Sequence, residues 1–208
     1  MKKLKDINIK KFPHSNSLVD QEAFVLNILE EKKNGYYVEI GAFHSKIASN
    51  TYLLEHEYNW KGIALDLAEK SVLEYNSNRK NPCILHDALT FNFDEYFTKN
   101  NFPKQIDFLQ IDVDHYPNVY SSILALLNIP FSRYRFSVIC FEHDDMDWEN
   151  EQNKILSRNL LTMLGYKLVV REQNEDFWVD PTTIDKNIWG HFMAVNYRRT
   201  PYHALVEK

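Results

Sequence analysis

The chain is poor in the features that mark cross-linked, secreted, membrane-spanning or nucleic-acid-binding proteins. It has two cysteines in 208 residues, Cys83 and Cys140. Both fall inside stretches that read as strands, with no metal-ligand spacing and no disulfide framework, so both are expected to be reduced core residues. No apolar run approaches the ~20 residues of a membrane span. The start, MKKLKDINIKKFPHSNS, is basic but is followed by no apolar stretch, so it does not read as a secretory signal, and a cytoplasmic location is expected. Neither sign of charge dominates. Lys and Arg total 24 against 29 Asp and Glu, a formal net charge of −5, which leaves no basic footprint for a nucleic-acid partner. Internal repeats, low-complexity tracts and interdomain linkers are also missing.

What remains is a globular balance, 44% hydrophobic and 25% charged, of a length that buries one full core and not comfortably two. Aromatics reach 14%, mostly Tyr and Phe, and are expected to pack that core. Residues 1–35, a polar, partly mobile lead-in followed by a helix, precede a domain covering 36–208, and the whole is expected to form one unit.

The organising stretch is Tyr36 to Asp66, YYVEIGAFHSKIASNTYLLEHEYNWKGIALD. Tyr36 to Ile40 is a short apolar strand whose single charge is Glu39. Gly41 and Ala42 permit a tight turn with close backbone approach to a ligand. Ser49, Asn50 and Thr51 offer N-cap residues for a helix running through Leu53, Leu54 and His56. Lys61 to Leu65 is a second strand with Asp66 at its carboxyl end, 27 residues after Glu39. That is a suitable place for a carboxylate that accepts from a ribose diol.

Upstream, apolar Phe24, Val25, Ile28 and Leu29 give Asp20 to Glu31 a helical period, closed by Asn34-Gly35. Downstream, the pattern predicts a helix over Ala68 to Asn78 and a strand over Cys83 to Leu89 that carries His86 and Asp87. A short helix or turn follows over Phe91 to Thr98, then a strand over Ile106 to Asp114. Next come a helix from Pro117 to Leu127, a strand over Phe136 to Phe141, a helix over Glu149 to Leu164 ended by Gly165, and strands over Tyr166 to Val170 and Asp176 to Val179. The tail from Trp189 is ambiguous. Strands alternating with helices, and apolar on both faces, define an α/β fold with a mainly parallel sheet covered on both sides.

Acidic residues close successive strands: Glu39, Asp66, Asp87, Asp112 with Asp114, and Glu142 to Asp145. One such residue is ordinarily a turn or cap. Five strands ending this way bring their carboxylates to one rim of a parallel sheet.

Seven stretches in this order, VEIGA then SNTYLLE, WKGIALD, DFLQIDVD, RFSVICFEHD, and LGYKLVV with EDFWVDP, resemble the FkbM-type branch of S-adenosylmethionine (SAM)-dependent methyltransferases. The resemblance covers about Tyr36 to Pro181. It implies a Rossmann-like fold with a seven-stranded, mainly parallel sheet, and a SAM site built residue by residue. Gly41 and Ala42 would pass under the methionine part, with Glu39 near its amino group. Asn50 and Thr51, at a helix start, would hold the carboxylate. Asp66 would take the ribose hydroxyls, and Asp87 with Ala88 would lie along the adenine. The chain departs from the family pattern at Ser45, where a second glycine is usual, and at Phe43 and His44, where polar residues are.

The second constellation sets Asp112, Asp114 and His115 against Glu142, His143, Asp144 and Asp145. One reading is a divalent cation such as Mg, held by Asp112, Asp114 and Asp144, that acidifies a sugar hydroxyl. The arrangement is similar to macrocin-type sugar O-methyltransferases. In a second reading His143 or Asp112 takes the proton as general base, with Glu142 beside them. A third is a solvated acidic rim that orients loops. His14, His56, His86, His191 and His203 form no cluster. Phe177 and Trp178 with Asp176 either wall an acceptor pocket or pack the core.

The resemblance thus implies methyl transfer to a hydroxyl of a carbohydrate, such as a nucleotide-activated sugar or a surface-polysaccharide precursor. A nicotinamide-dependent oxidoreductase on a similar fold is the rival enzyme, opposed by the missing G-x-G-x-x-G run. A non-catalytic SAM-fold binding subunit is the other alternative.

Overall fold

The computed structural model describes residues 9–113, 119–143, 151–172 and 174–194. Seven strands form one sheet: β1 (Tyr36–Ile40), β2 (Lys61–Asp66), β3 (Cys83–Leu85), β4 (Gln105–Ile111), β5 (Arg135–Glu142), β6 (Lys167–Arg171) and β7 (Glu175–Val179). Their order is β3-β2-β1-β4-β5-β7-β6. β7 runs antiparallel to both neighbours and the other pairs are parallel. The order reverses between β1 and β4, so a crevice opens at their carboxyl ends.

Alternation along the strands divides the core. Tyr37, Phe108, Val138, Cys140 and Phe177 face one side, where α1 (Gln21–Ile28), α2 (Tyr52–His56), α3 (Glu69–Asn78) and α7 (Lys186–Ala194) cover them. Val38, Ile40, Leu109, Ile111, Ile139 and Phe141 face the other side, under α4 (Phe93–Lys99), α5 (Ser121–Asn128) and α6 (Glu151–Met163). Both cysteines are buried and free. Phe177, Trp178 and Asp176 are almost wholly buried, so the aromatics there pack the core. No helix among the described residues is long and apolar enough to cross a membrane.

Several boundaries differ from expectation. α1 ends at Ile28 because Glu30 and Glu31 turn left-handed; Asn34, also at positive φ, leads into β1 and does not close the helix. The polar residues ahead of α1 are tied down from residue 9 onward. Ile9 is buried, the Lys10 amide donates to Asn27 Oδ1 (2.8 Å), and Asn16 N and Ser15 Oγ donate to the buried Glu22. β3 stops at Leu85, so His86 and Asp87 occupy the turn beyond it. There the Asp87 carbonyl accepts from Thr90 N and Phe91 N, and its side chain accepts from Leu89 N, which bends the chain out of the sheet.

Candidate functional site

The crevice is a cavity of about 600 Å³. Eight of the residues singled out in the sequence line it. Gly41 and Ala42 come from the turn after β1, Asn50 from the start of α2, and Asp66 from the end of β2. Asp87 and Ala88 follow β3, Asp112 follows β4, and Glu142 closes β5. No lysine or arginine lines it among the described residues. The four carboxylates there attract donors and positive charge and repel phosphate.

Gly41 is at φ +87°, and a Cβ there would lie 1.6 Å from the Asp112 carbonyl oxygen. The glycine is therefore needed for the close approach of the chain after β1 to the chain after β4. Asp66 is held by both turns: Phe43 N donates to Oδ2 (2.8 Å) and Ala68 N to Oδ1 (2.7 Å). A carboxylate offers about four acceptor positions, so two remain for a diol.

Asn50 is 4% exposed. Its backbone amide donates to Glu39 Oε1 (3.3 Å) and its Nδ2 to Asp112 Oδ2 (3.3 Å), while its Oδ1 has no hydrogen-bond partner among the described residues. A buried amide oxygen at a cavity wall wants a donor. That oxygen offers the cavity an acceptor. The start of α2 is no anion site. The amides of Thr51 and Tyr52 already donate to Ser49 Oγ, and that of Leu53 to Glu22.

Glu39 and Thr51 lie behind the wall, not on it. Thr51 Oγ1 donates to Glu39 Oε2 (2.7 Å) instead of capping its helix. Burial pushes the Glu39 carboxyl up to about 7 against the pull of Arg79. Arg79, which the sequence did not single out, follows α3. Its Nε donates to Glu55 (3.0 Å), and its other nitrogens to Tyr37 Oη, Thr51 Oγ1 and the Ser45 carbonyl. Ser45 is gripped a second time: its amide and hydroxyl donate to Glu74 at 2.8 and 2.5 Å. The loop from Gly41 to Asn50 is thus moored to α3. A buried arginine and a surface glutamate carry no local sequence signal for this.

His143 is also off the wall, 1% exposed, with Nε2 3.9 Å from Asp176 Oδ1. Strand alternation explains it, since Glu142 and His143 point to opposite faces. Asp176 in turn receives Arg158 at 2.7 and 2.8 Å. Asp114, His115, Asp144 and Asp145 lie outside the described residues, so one of the three expected cation ligands, Asp112, is in view. No group of three metal-binding side chains occurs among the described residues. Glu175 faces the same region: Gln21 and Gln110 donate to it at 2.6 and 2.9 Å, and burial and the Asp112 charge hold its carboxyl well above the usual range.

Strand order, the reversal at β1/β4 and the acidic crevice define the Rossmann-like SAM-methyltransferase fold. A TehB-like SAM-dependent methyltransferase from Corynebacterium glutamicum superposes with a TM-score of 0.51 at 10% identity, over 79% of this chain and 86% of that one. A human methyltransferase 10 domain containing protein does so at 0.51 and 9% identity, over 84% of this chain and 90% of that one. At such identity the fold is what is shared. No protein-family model and no curated protein matches the sequence.

Proposed function

We propose that the chain is a SAM-dependent O-methyltransferase of the FkbM type, acting in the cytoplasm as a single domain on a carbohydrate hydroxyl, such as that of a sugar nucleotide or polysaccharide precursor. The observation that carries the SAM reading is a cavity lined by Asp66, Asp87, Asp112 and Glu142 with no lysine or arginine, and with the acceptor oxygen of Asn50 unused, among the described residues. SAM presents an ammonium, a sulfonium, a ribose diol and an exocyclic amine, which these acceptors match, against a single carboxylate. NAD presents a pyrophosphate, which this lining repels, and the missing glycine-rich run leaves it no cradle. The same repulsion disfavours a nucleic-acid backbone at the mouth. The carbohydrate acceptor rests on the family resemblance.

When bound, SAM would supply an electrophilic methyl carbon for in-line attack by the acceptor oxygen, with the carbon–sulfur bond breaking and SAH leaving. Asp66 orients the ribose and Asn50 Oδ1 the ammonium, with Asp87 and Ala88 along the adenine. Asp112 or Glu142, both on the cavity wall, takes the proton from the acceptor hydroxyl; His143, turned toward Asp176, supports the strand end from behind. Asp66→Ala is expected to weaken S-adenosylhomocysteine (SAH) binding about tenfold or more by calorimetry; unchanged affinity would remove Asp66 from the site. Turnover that persists in EDTA fits the carboxylate base, and turnover abolished by it would select the reading with Mg at Asp112, Asp114 and Asp144.

A further inference from the structure

Phe43 stands where the family pattern has a polar residue, and its backbone is unusual. At φ 48° it is left-handed, a conformation rare for residues other than glycine, asparagine and aspartate and most costly for bulky ones. Strain of this kind persists where the surroundings enforce it, and it gathers at ligand sites. The strained backbone gains no burial for the ring, since Phe43 is 70% exposed. It lines the cavity nonetheless. Leu67, 55% exposed, lines the same cavity. One carboxylate places both: Asp66 holds the turn carrying Phe43 by Oδ2 and the turn carrying Leu67 by Oδ1.

We propose that Phe43 is a ligand-binding residue whose ring, with Leu67, closes over the nucleoside portion of the molecule held at Asp66. The proposal rests on the SAM reading above. Polar edges of that portion meet Asp66 and Asp87, leaving its flat faces to apolar contact. An aromatic ring stacks on a base or on the C–H face of a sugar regardless of hydrogen-bond pattern, and its exposed surface leaves water only when the ligand arrives. The turn accepts phenylalanine in a glycine- or asparagine-like conformation because the side chain is used by the ligand, not by the core.

Titration calorimetry of the purified full chain with SAH, and with 5′-methylthioadenosine as competitor, tests this in wild type, Phe43→Asn and Phe43→Tyr. Asparagine tolerates the left-handed turn, so Phe43→Asn is expected to melt no lower than wild type without ligand. It is expected to bind SAH and the nucleoside fragment about fivefold or more weakly, the low end of an aromatic–base stack. Phe43→Tyr keeps the ring and should bind within about twofold of wild type. Undiminished SAH binding by Phe43→Asn overturns the proposal, as does a lowered ligand-free melting temperature, which would make the ring a packing element. A loss toward SAH alone, or a fragment that fails to compete, overturns the nucleoside contact. Wild type binding neither molecule overturns the SAM reading itself, a result distinct from equal binding by wild type and variant.

Discussion

At the scale of single residues, the site depends on groups whose burial changes their behaviour. Gly41 is the sharpest case. Any Cβ collides with the Asp112 carbonyl at a positive φ, so Gly41→Ala is expected to cost about 2 kcal/mol or more, read as a lowered urea midpoint with unchanged slope. Glu22 and Glu39 are buried acids whose carboxyls are both pushed up to about 7 from 4.5. Between those values the folded chain holds more protons than the unfolded one. The stability they contribute is complete below about pH 4.5 and is lost as pH rises through about 7. Urea unfolding at pH 5 to 8 should therefore show stability falling by about 1 kcal/mol per pH unit for each group near pH 6. Glu22→Gln should flatten part of that slope. A profile that rises from pH 5 to 7 contradicts it.

Among elements, the loop between β1 and α2 is held from outside itself. Arg79 ties Glu55, Thr51 and the Ser45 carbonyl to the end of α3, and Glu74 adds the Ser45 amide and hydroxyl. Removing the cation strands Glu55 and Glu39 in the interior, so Arg79→Ala is expected to cost about 3–5 kcal/mol by chemical denaturation. This mooring holds the turn with Ser45 in it. Strand positions were legible in the sequence because apolar runs bounded by Gly, Pro and Asn are local signals: β1 falls at Tyr36–Ile40 as read, and β2 extends the reading by Asp66 alone. β3 was read too long because the Asp87 turn is fixed by its own side chain and carbonyl, which periodicity does not register. Residues 9–17 read as a solvated lead-in because their anchors, Asn27 and Glu22, look like surface residues of a helix that is in fact buried nearly all round.

For the whole molecule, strand order decides which carboxylates meet. Asp66, Asp87, Asp112 and Glu142 lie far apart in sequence and share one cavity because β3, β2, β1, β4 and β5 are parallel neighbours ending on one rim. That convergence was readable from acids at successive strand ends. The exclusion of Glu39, Thr51 and His143 from the wall was not. It follows from alternation and from partners on distant elements: Tyr75 and Arg79 for the first two, Asp176 for the last. Everything above turns on SAM filling this acidic cavity. The most direct measurement is the melting temperature of the chain with saturating SAH and, separately, NAD, because a ligand confined to the folded state raises it by mass action. A rise of several degrees with SAH and none with NAD is expected; a rise with NAD alone would rule out a SAM site here.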